Sequence, residues 1–554
     1  MTRLEGMALA LVMIAGCGGA ATPPPRAARS GGALTAPESF PTAAAIAALP
    51  PPGPVQVDTG VVVGHWEIEP ASLAPAPSAI ETFYASLATH RATAQRSTAM
   101  ECIARELARF AAANHGLPAE APRRFIAARC GAGAISVAMG VIPITGIGAS
   151  GDTDALEHLH DTVLDHAVAA VPAEANRVGL AIYRDGASLY VGIASALAQL
   201  DLEPAVPVAH DGHLRFHASI ARAPSELFVM TTAGERGVAE CTVSGIQPAL
   251  EIDCPFTEGD ARAYVEILGR DGDAVLCMPL ALSIGVASEG AGLAYDVRWP
   301  SDALTLDATQ LGAAVLPLLN GERAQLGAPP LSLSVAQSAA SASIVPYAFS
   351  ADATSMEQAM LYAMAGWELE PGPLVREGRT IQIDAGRATD AGQWLFQALE
   401  TPFERWVLLD PEARVLALGA ATSNESTIGV ATTFRFFDGD AESDRAVAEH
   451  ALDEARRAAG HGPASFVQLA PLENAAGAIA DASAAPEVAL DNALGRIVET
   501  YASARGHVYV ASVLDHAPWD PDLLQAPHVG IAVRHARPAG SAWGVYVVLA
   551  VALP

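Results

Sequence analysis

Three short stretches gather the residue types that catalysis and cofactor binding use. Glu157-His158-Leu159-His160-Asp161, followed by Asp165-His166, sets acids and imidazoles at helical spacing. On a helix Glu157 and Asp161, and likewise Asp161 and Asp165, share a face. His158 and His166 fall about 12 Å apart along the axis, too far to share one ion. The stretch reads as a solvated helix face, able at most to pick up zinc or copper opportunistically. Gly146-x-Gly148-x-x-Gly151 has the letters of a dinucleotide-binding turn, but no parallel β-α-β unit surrounds it. Gly148-Ala149-Ser150-Gly151 also lacks the Gly-x-Ser-x-Gly spacing of a nucleophile elbow, so this stretch reads as a loop. Asp515, His516 and Asp520 form an acid–base set without a nucleophile and read as loop residues ahead of a final strand pair. Histidine is the commonest transition-metal ligand, and none occurs between His217 and His450. No metal site and no cofactor is expected.

The elements that would position such residues are clearest at 311–338, LGAAVLPLLNGERAQLGAPPLSLSVAQS. A helix carries Asn320, Glu322 and Arg323, a Gly-Ala-Pro-Pro turn follows, and Leu331 and Leu333 alternate into a second helix. This opening resembles that of the CAP superfamily (SCP domains: cysteine-rich secretory proteins, antigen 5 and pathogenesis-related proteins). Leu319, Asn320, Arg323, Gly327, Pro330 and Leu331 fit its pattern of L-N-x-x-R, G-hydrophobic-P-P-L and an alanine-rich helix. Downstream, Trp394 is followed by Thr401-Pro402-Phe403-Glu404-Arg405, where the family has Ser-Pro-x-His-Arg, then by Leu408-Leu409-Asp410-Pro411 and the strand Val415 to Gly419. The diagnostic histidine is Glu404. The resemblance covers about a quarter of the chain. It implies an α-β-α sandwich, and Glu368 and Glu404 as the positions nearest the family's cleft acids, although both also read as surface carboxylates. The family's two-histidine, two-acid metal tetrad cannot be rebuilt here. Trp367, Trp394, Phe403 and Trp406 read as core or cleft packing. A partly apolar cleft of this kind implies lipid or peptide as a ligand.

Two further segments carry related patterns. Residues 101–128 have helical apolar spacing at Ile103, Leu107 and Phe110. VGLAIYRDGASLYVGIASAL, from residue 178, is a hairpin turning at Arg184-Asp185-Gly186. The carboxyl-terminal segment again gives helix, Gly-x-Gly-Pro turn, alanine helix and a closing strand pair. Three related modules are therefore expected at 79–204, 303–437 and 440–554. Short alternating strands over 206–298 predict a small all-β sandwich. The fold class is α/β of the α+β kind, helices layered on antiparallel sheets.

Residues 1–17 read as a lipoprotein signal peptide whose Ile14-Ala15-Gly16-Cys17 is a lipobox, with Cys17 the acylated residue. Gly18 in place of aspartate points to the outer membrane, with the body in the periplasm or at the surface. Residues 18–58, rich in Ala, Pro and Gly, read as a disordered tether. With 32 basic against 61 acidic residues and a net charge of −29, nucleic acid is excluded as a partner. The expected partners are the membrane, through the lipid anchor, and a lipid, peptide or envelope protein. Cys102 and Cys130 flank one helical region and are expected to pair. Of Cys241, Cys254 and Cys277, one is expected to stay free or to pair between molecules. The function expected is a non-enzymatic binding or interaction role at the cell envelope. A secreted hydrolase or peptidase with an altered cleft, and a structural envelope component, are the alternatives.

Overall fold

The hairpin strands are apolar on both faces, so each sheet needs helices above and below it. The computed structural model describes residues 14–15, 40–55, 60–68, 78–145, 152–220, 224–270, 276–289, 293–296, 307–349, 352–369, 372–385, 388, 390–423, 426–437, 439–514 and 519–554, and it meets that need three times with one α+β plan. In the first unit, α1 (Ser78–His90) leads to the two-residue strand β1 (Gln95–Arg96). Helices α2 (Thr98–Asn114) and α3 (Glu120–Arg129), strand β2 (Ala138–Ile144), helix α4 (His160–Ala170) and the hairpin β3 (Arg177–Asp185) and β4 (Ser188–Ala196) follow. The sheet order is β1-β3-β4-β2, with β1 parallel to β3 and the other pairs antiparallel.

A β-sandwich comes next, built from β5 (Leu200–Glu203), β6 (His213–Ile220), β7 (Glu226–Ala233), β8 (Gly237–Glu240), β9 (Thr242–Ile246), β10 (Ala249–Pro255), β11 (Arg262–Arg270) and β12 (Leu276–Val286). Its sheets are ordered β9-β10-β6-β5 and β8-β7-β11-β12. The sandwich takes in Leu200–Glu203, ahead of the expected start at 206. Leu293–Asp296, inside the expected span, pairs instead with His65–Ile68. The Cys241–Cys254 disulfide joins the chain where it passes from β8 to β9 to strand β10.

The central unit contains α5 (Leu311–Gln325), β13 (Ser332–Leu333), α6 (Val335–Ala348), α7 (Ala353–Ala365), β14 (Val375–Asp384), α8 (Ala391–Ala398), α9 (Pro402–Leu408) and the hairpin β15 (Val415–Ser423) and β16 (Ser426–Phe436). The third unit has α10 (Ala441–Ala458), β17 (Ser465–Phe466), α11 (Ala470–Ala480), α12 (Pro486–Ile497), β18 (Arg505–Ala511), β19 (His528–Ala536) and β20 (Val545–Leu553). Their orders, β13-β15-β16-β14 and β17-β19-β20-β18, repeat the first unit's, including the short parallel strand. Ile14–Ala15 lies between β12 and β14 and links the sandwich sheet to the central sheet.

Strand periodicity sorts the central core into two layers. Leu416, Leu418 and Ala431 pack with α5, α8 and α9 through Val315, Trp394, Phe403 and Val407. Ala417, Ile428, Val430 and Phe434 face the other way, onto Ile344, Val345, Met360 and Met364 of α6 and α7. The helix after each short strand lies close enough to need glycine beneath it. A Cβ at Gly192 would come within 1.9 Å of Ala104 O, and one at Gly419 within 2.1 Å of Ala342 N.

Cys102 and Cys130 are bonded and tie α2 to the end of α3. The expectation of a leftover thiol is corrected: no cysteine among the described residues is free, and Cys277 is also disulfide-bonded. Cys17 lies outside the described residues. Within the stretch read as tether, residues 40–55 form a short helix, Ala43–Ala47, and its Ile46 is buried in the central unit's core. No helix among the described residues is long and apolar enough to cross a membrane.

Candidate functional site

The opening motif that carries Asn320 and Arg323 is structural. Asn320 forms a two-way bridge to the backbone of Leu331, accepting from its N at 2.8 Å and donating to its O at 3.0 Å. Arg323 is fully buried and donates to the carbonyls of Pro329, Leu408, Asp410 and Ala413, locking the α5 exit to the turn that precedes β15. Burial pulls its pKa down to about 10, leaving it cationic at neutral pH. The third unit repeats the arrangement residue for residue. Asp453 accepts from Ala464 N, eleven positions on as in Asn320–Leu331, and Arg456 donates to Gly462, Leu523 and Ala526 carbonyls ahead of β19. In the first unit Arg91 reaches the carbonyls of Val168 and Val171 in the same place ahead of β3. A buried guanidinium is suited to this role because its five donors fan out in a plane.

Glu404, which the sequence resemblance sets at the CAP histidine, is not a surface carboxylate. It is 3% exposed and completes a capping box with Thr401 at the start of α9. Glu368, by contrast, is exposed, in the turn after α7 on the opposite face of the sheet. The two acids therefore line no common cleft. The reason lies in α9: it packs on strand β11 of the sandwich, and α3 of the first unit covers the neighbouring strand β12.

At this junction three buried carboxylates meet one guanidinium. Arg124 of α3 contacts Glu404 Oε1 at 3.2 Å and Glu400 Oε2 at 3.5 Å. Tyr264 of β11 donates its hydroxyl to Glu400 Oε1 at 2.9 Å, and Glu266, two residues on along the same face, accepts from Phe403 N at 2.9 Å. Desolvation dominates the electrostatics. It pushes Glu266 and Glu400 up to about 7, although the Phe403 amide acts against it at Glu266 and Arg124 at Glu400. Burial also raises Glu404. It works against the Arg124 charge as well, but Glu404 and Glu400 outweigh it and hold Arg124 above its ordinary value. Arg262 stands nearby with its guanidinium 4.6 Å from the Phe125 ring centre and its donors on Ala294 O.

The other expected residues are dispersed. The helix through 157–166 breaks at Leu159. His160 then turns to Ser86 at 3.2 Å, His158 is exposed, and His166 bonds Thr162 O at 2.7 Å. No three His, Cys, Asp or Glu side chains among the described residues could hold a metal together. Residues 146–151, read as a loop from the sequence, lie outside the described residues, as do Asp515 and His516. Asp520 is described, and the histidine it meets is one the sequence reading did not consider. His507 Nδ1 is 2.9 Å from Asp520 Oδ2 and its Nε2 is 3.0 Å from Asp522 Oδ2, while Tyr509 donates to Asp520 at 3.0 Å. Trp394 and Phe403 are fully buried, Trp406 carries Arg379 3.6 Å above its ring centre, and Trp367 lies at the seam with the third unit.

Tyr264, Glu266, Glu400 and Arg124 escaped sequence reading. A signal existed: Glu266 interrupts the otherwise apolar RAYVEILGR, and Thr401-Pro402-Phe403-Glu404 spells a capping box.

No family model matches the chain, and no curated protein does. Among solved structures it is similar to an extracellular SCP-domain protein from Bacillus anthracis, at 9% identity over 40% of this chain and 77% of that one. It is similar to Na-ASP-1, at 10% identity over 65% and 91%, and to a cysteine-rich secretory protein from Staphylococcus aureus, at 8% identity over 52% and 97%. The TM-score is 0.18 in each case.

Proposed function

We propose that this is a lipid-anchored, extracytoplasmic protein built from three CAP-type modules and a β-sandwich, with a binding or interaction role at the cell envelope. The observation that carries the non-catalytic part is the fate of Glu404. The acid at the family's histidine position is sealed under the sandwich and shared with Arg124, so no substrate reaches it. The repeated sheet order and the repeated arginine clamp support the modular part. The Ile14-Ala15-Gly16-Cys17 sequence supports the anchor, which requires that the Ile14–Ala15 pairing between β12 and β14 be absent from the mature chain. The test is incorporation of labelled palmitate into the full chain and into Cys17→Ala. Label and membrane association should both be present in the first and absent in the second. An unlabelled chain released to the soluble fraction would end the anchor reading, and so would a Cys17–Cys277 disulfide in the mature protein, Cys277 being the described cysteine whose disulfide partner lies outside the described residues.

A second reading, a secreted hydrolase or peptidase, draws on His507, whose ring is held between Asp520 and Asp522 at a partly exposed site. With each ring nitrogen donating to a carboxylate, the imidazole can act as a general base for water only once Asp522 releases Nε2. Hydrolytic activity on ester or peptide substrates that vanishes in His507→Gln would favour it, and activity unchanged in that variant would remove it.

A further inference from the structure

The seam between the central and third units is closed without help from the amino-terminal segment. Trp543 donates its indole N–H to Met364 O at 3.3 Å, and Gly544 N donates to Val375 O at 2.8 Å. Trp367 follows Gly366, whose φ of 71° ends α7, and the backbone N of the next residue, Glu368, is fixed by Gln337 Oε1 at 3.0 Å. Two indoles thus stand at the seam on independently anchored backbone. Beside them, Ile344, Val345, Ala348, Phe349 and Tyr362 belong to one buried apolar cluster.

Residues 40–55, FPTAAAIAALPPPGPV, pack against this cluster and contain no charge. The Phe40 ring sits 4.6 Å from the Trp543 ring, Pro41 O accepts from Trp367 Nε1 at 2.8 Å, and Ile46 is 7% exposed in the cluster beyond. Leu49 and Val55 add partial contact. Otherwise the hold is slight. The hydrogen bonds described for this backbone run within the segment, from Ile46, Ala48 and Leu49 to Thr42, Ala44, Ala45 and Ile46, and most of its residues are exposed. A segment attached by one aromatic, one carbonyl and one aliphatic side chain, over a seam closed independently of it, has the character of a bound peptide rather than of core.

We propose that the seam at Trp367 and Trp543 is a peptide-docking site, and that residues 40–55 occupy it in cis as an exchangeable pseudo-ligand. The occupant it fits in trans is an uncharged segment with an aromatic–proline pair and an aliphatic residue six positions after the aromatic, the spacing of Phe40 and Ile46. The ring stacks on Trp543, the proline carbonyl takes the Trp367 indole proton, and the aliphatic side chain enters the cluster. While the cis segment is seated, its effective concentration, on the order of millimolar for a tethered ligand, suppresses binding in trans. The inference is independent of the lipid anchor.

The test uses the full chain and a fluorescent synthetic peptide of residues 40–55, read by anisotropy. The Phe40→Ala, Ile46→Ala double variant should bind the peptide at least about ten-fold more tightly than the unaltered chain, as release from a tethered competitor requires. Adding Trp367→Phe to that variant should weaken binding again. A peptide with alanine in place of its phenylalanine should bind neither. Equal peptide affinity in variant and unaltered chain, with thermal unfolding unchanged, would overturn the proposal and make the segment a fixed clasp. Should the double variant fail to fold, Phe40→Ala alone is read the same way with a smaller gain expected, and no gain overturns the proposal.

Discussion

Replacing Glu266 by glutamine should make the protein more stable at pH 8 and leave it unchanged at pH 5. Glu266 ionises at about 7 in the folded chain against an ordinary 4.5, because β11 places it under α9 with a single backbone donor. A folded-state pKa raised this far means that the native state holds a proton the unfolded chain has lost between pH 4.5 and 7. Stability therefore falls as pH rises through that window and stays low above it. At 1.36 kcal/mol per pH unit, ionising this group in place costs about 3 kcal/mol. Glu400, also raised to about 7, adds to the effect, but it shares Arg124 with Glu404, so the two contributions do not simply sum. The glutamine amide oxygen can still accept from Phe403 N, so E266Q removes the charge and keeps the hydrogen bond. For a cooperative unit of 150–250 residues 1 kcal/mol moves Tm by about 2–4 °C, which makes the expected gain at pH 8 about 6–12 °C. Scanning calorimetry of both chains from pH 5 to pH 8 reads it. The unaltered chain should lose stability steadily as pH rises and E266Q should show a flatter profile. A variant destabilised at pH 8 would refute the reasoning, since it would mean that ionised Glu266 is stabilised by Arg124 more than burial opposes it.

Arg323→Met removes the guanidinium from the carbonyls of Pro329, Leu408, Asp410 and Ala413, of which Asp410 O keeps Ala413 N and Ala413 O keeps Arg414, and should destabilise the central unit by about 3 kcal/mol in denaturant unfolding, with Arg456→Met doing the same in the third unit. A loss under about 1 kcal/mol would show that water replaces the clamp. Gly419→Ala drives a methyl into Ala342 N, which a Cβ would meet at 2.1 Å, and should sharply reduce soluble yield, whereas Gly460→Ala, whose surroundings are open, should be limited by its φ of 83° alone. Removing the Cys102–Cys130 bridge, whose residues are 28 apart, by a double serine variant should lower stability by about 3–4 kcal/mol if loop entropy governs it, and an unchanged melting profile would refute that.

How much of this was legible in sequence differs from residue to residue. The helices and closing hairpins are local patterns of period and turn, so elements such as Thr98–Asn114 and the hairpin at Asp185-Gly186 could be read from Ile103, Leu107, Asp185 and Gly186. Asn320 and Arg323 were legible as a motif, but not the whole work of Arg323, because three of the carbonyls it holds, those of Leu408, Asp410 and Ala413, lie far along the chain. The same Asp453-x-x-Arg456 spacing was present in the third unit and would have tied it to the second. Glu404 misled for a physical reason. Whether a carboxylate is solvated or sealed depends on which surface covers its helix, and the cover here comes from Arg124 and Glu266, 280 and 138 positions away by sequence number. His507 was missed because its partners Asp520 and Asp522 approach it only across the turn of the folded third unit.

Glu404, which the sequence resemblance sets at the CAP histidine, joins units instead of serving a cleft. A crystal structure of the mature chain at neutral pH tests it most directly. Glu404 should be found beneath β11, within hydrogen-bonding reach of Arg124 and closed to solvent, with Glu368 on the far face of the central sheet. Glu404 open to a solvent-filled cleft, or sharing one with Glu368, would contradict the claim and return the central unit to the search for catalysis.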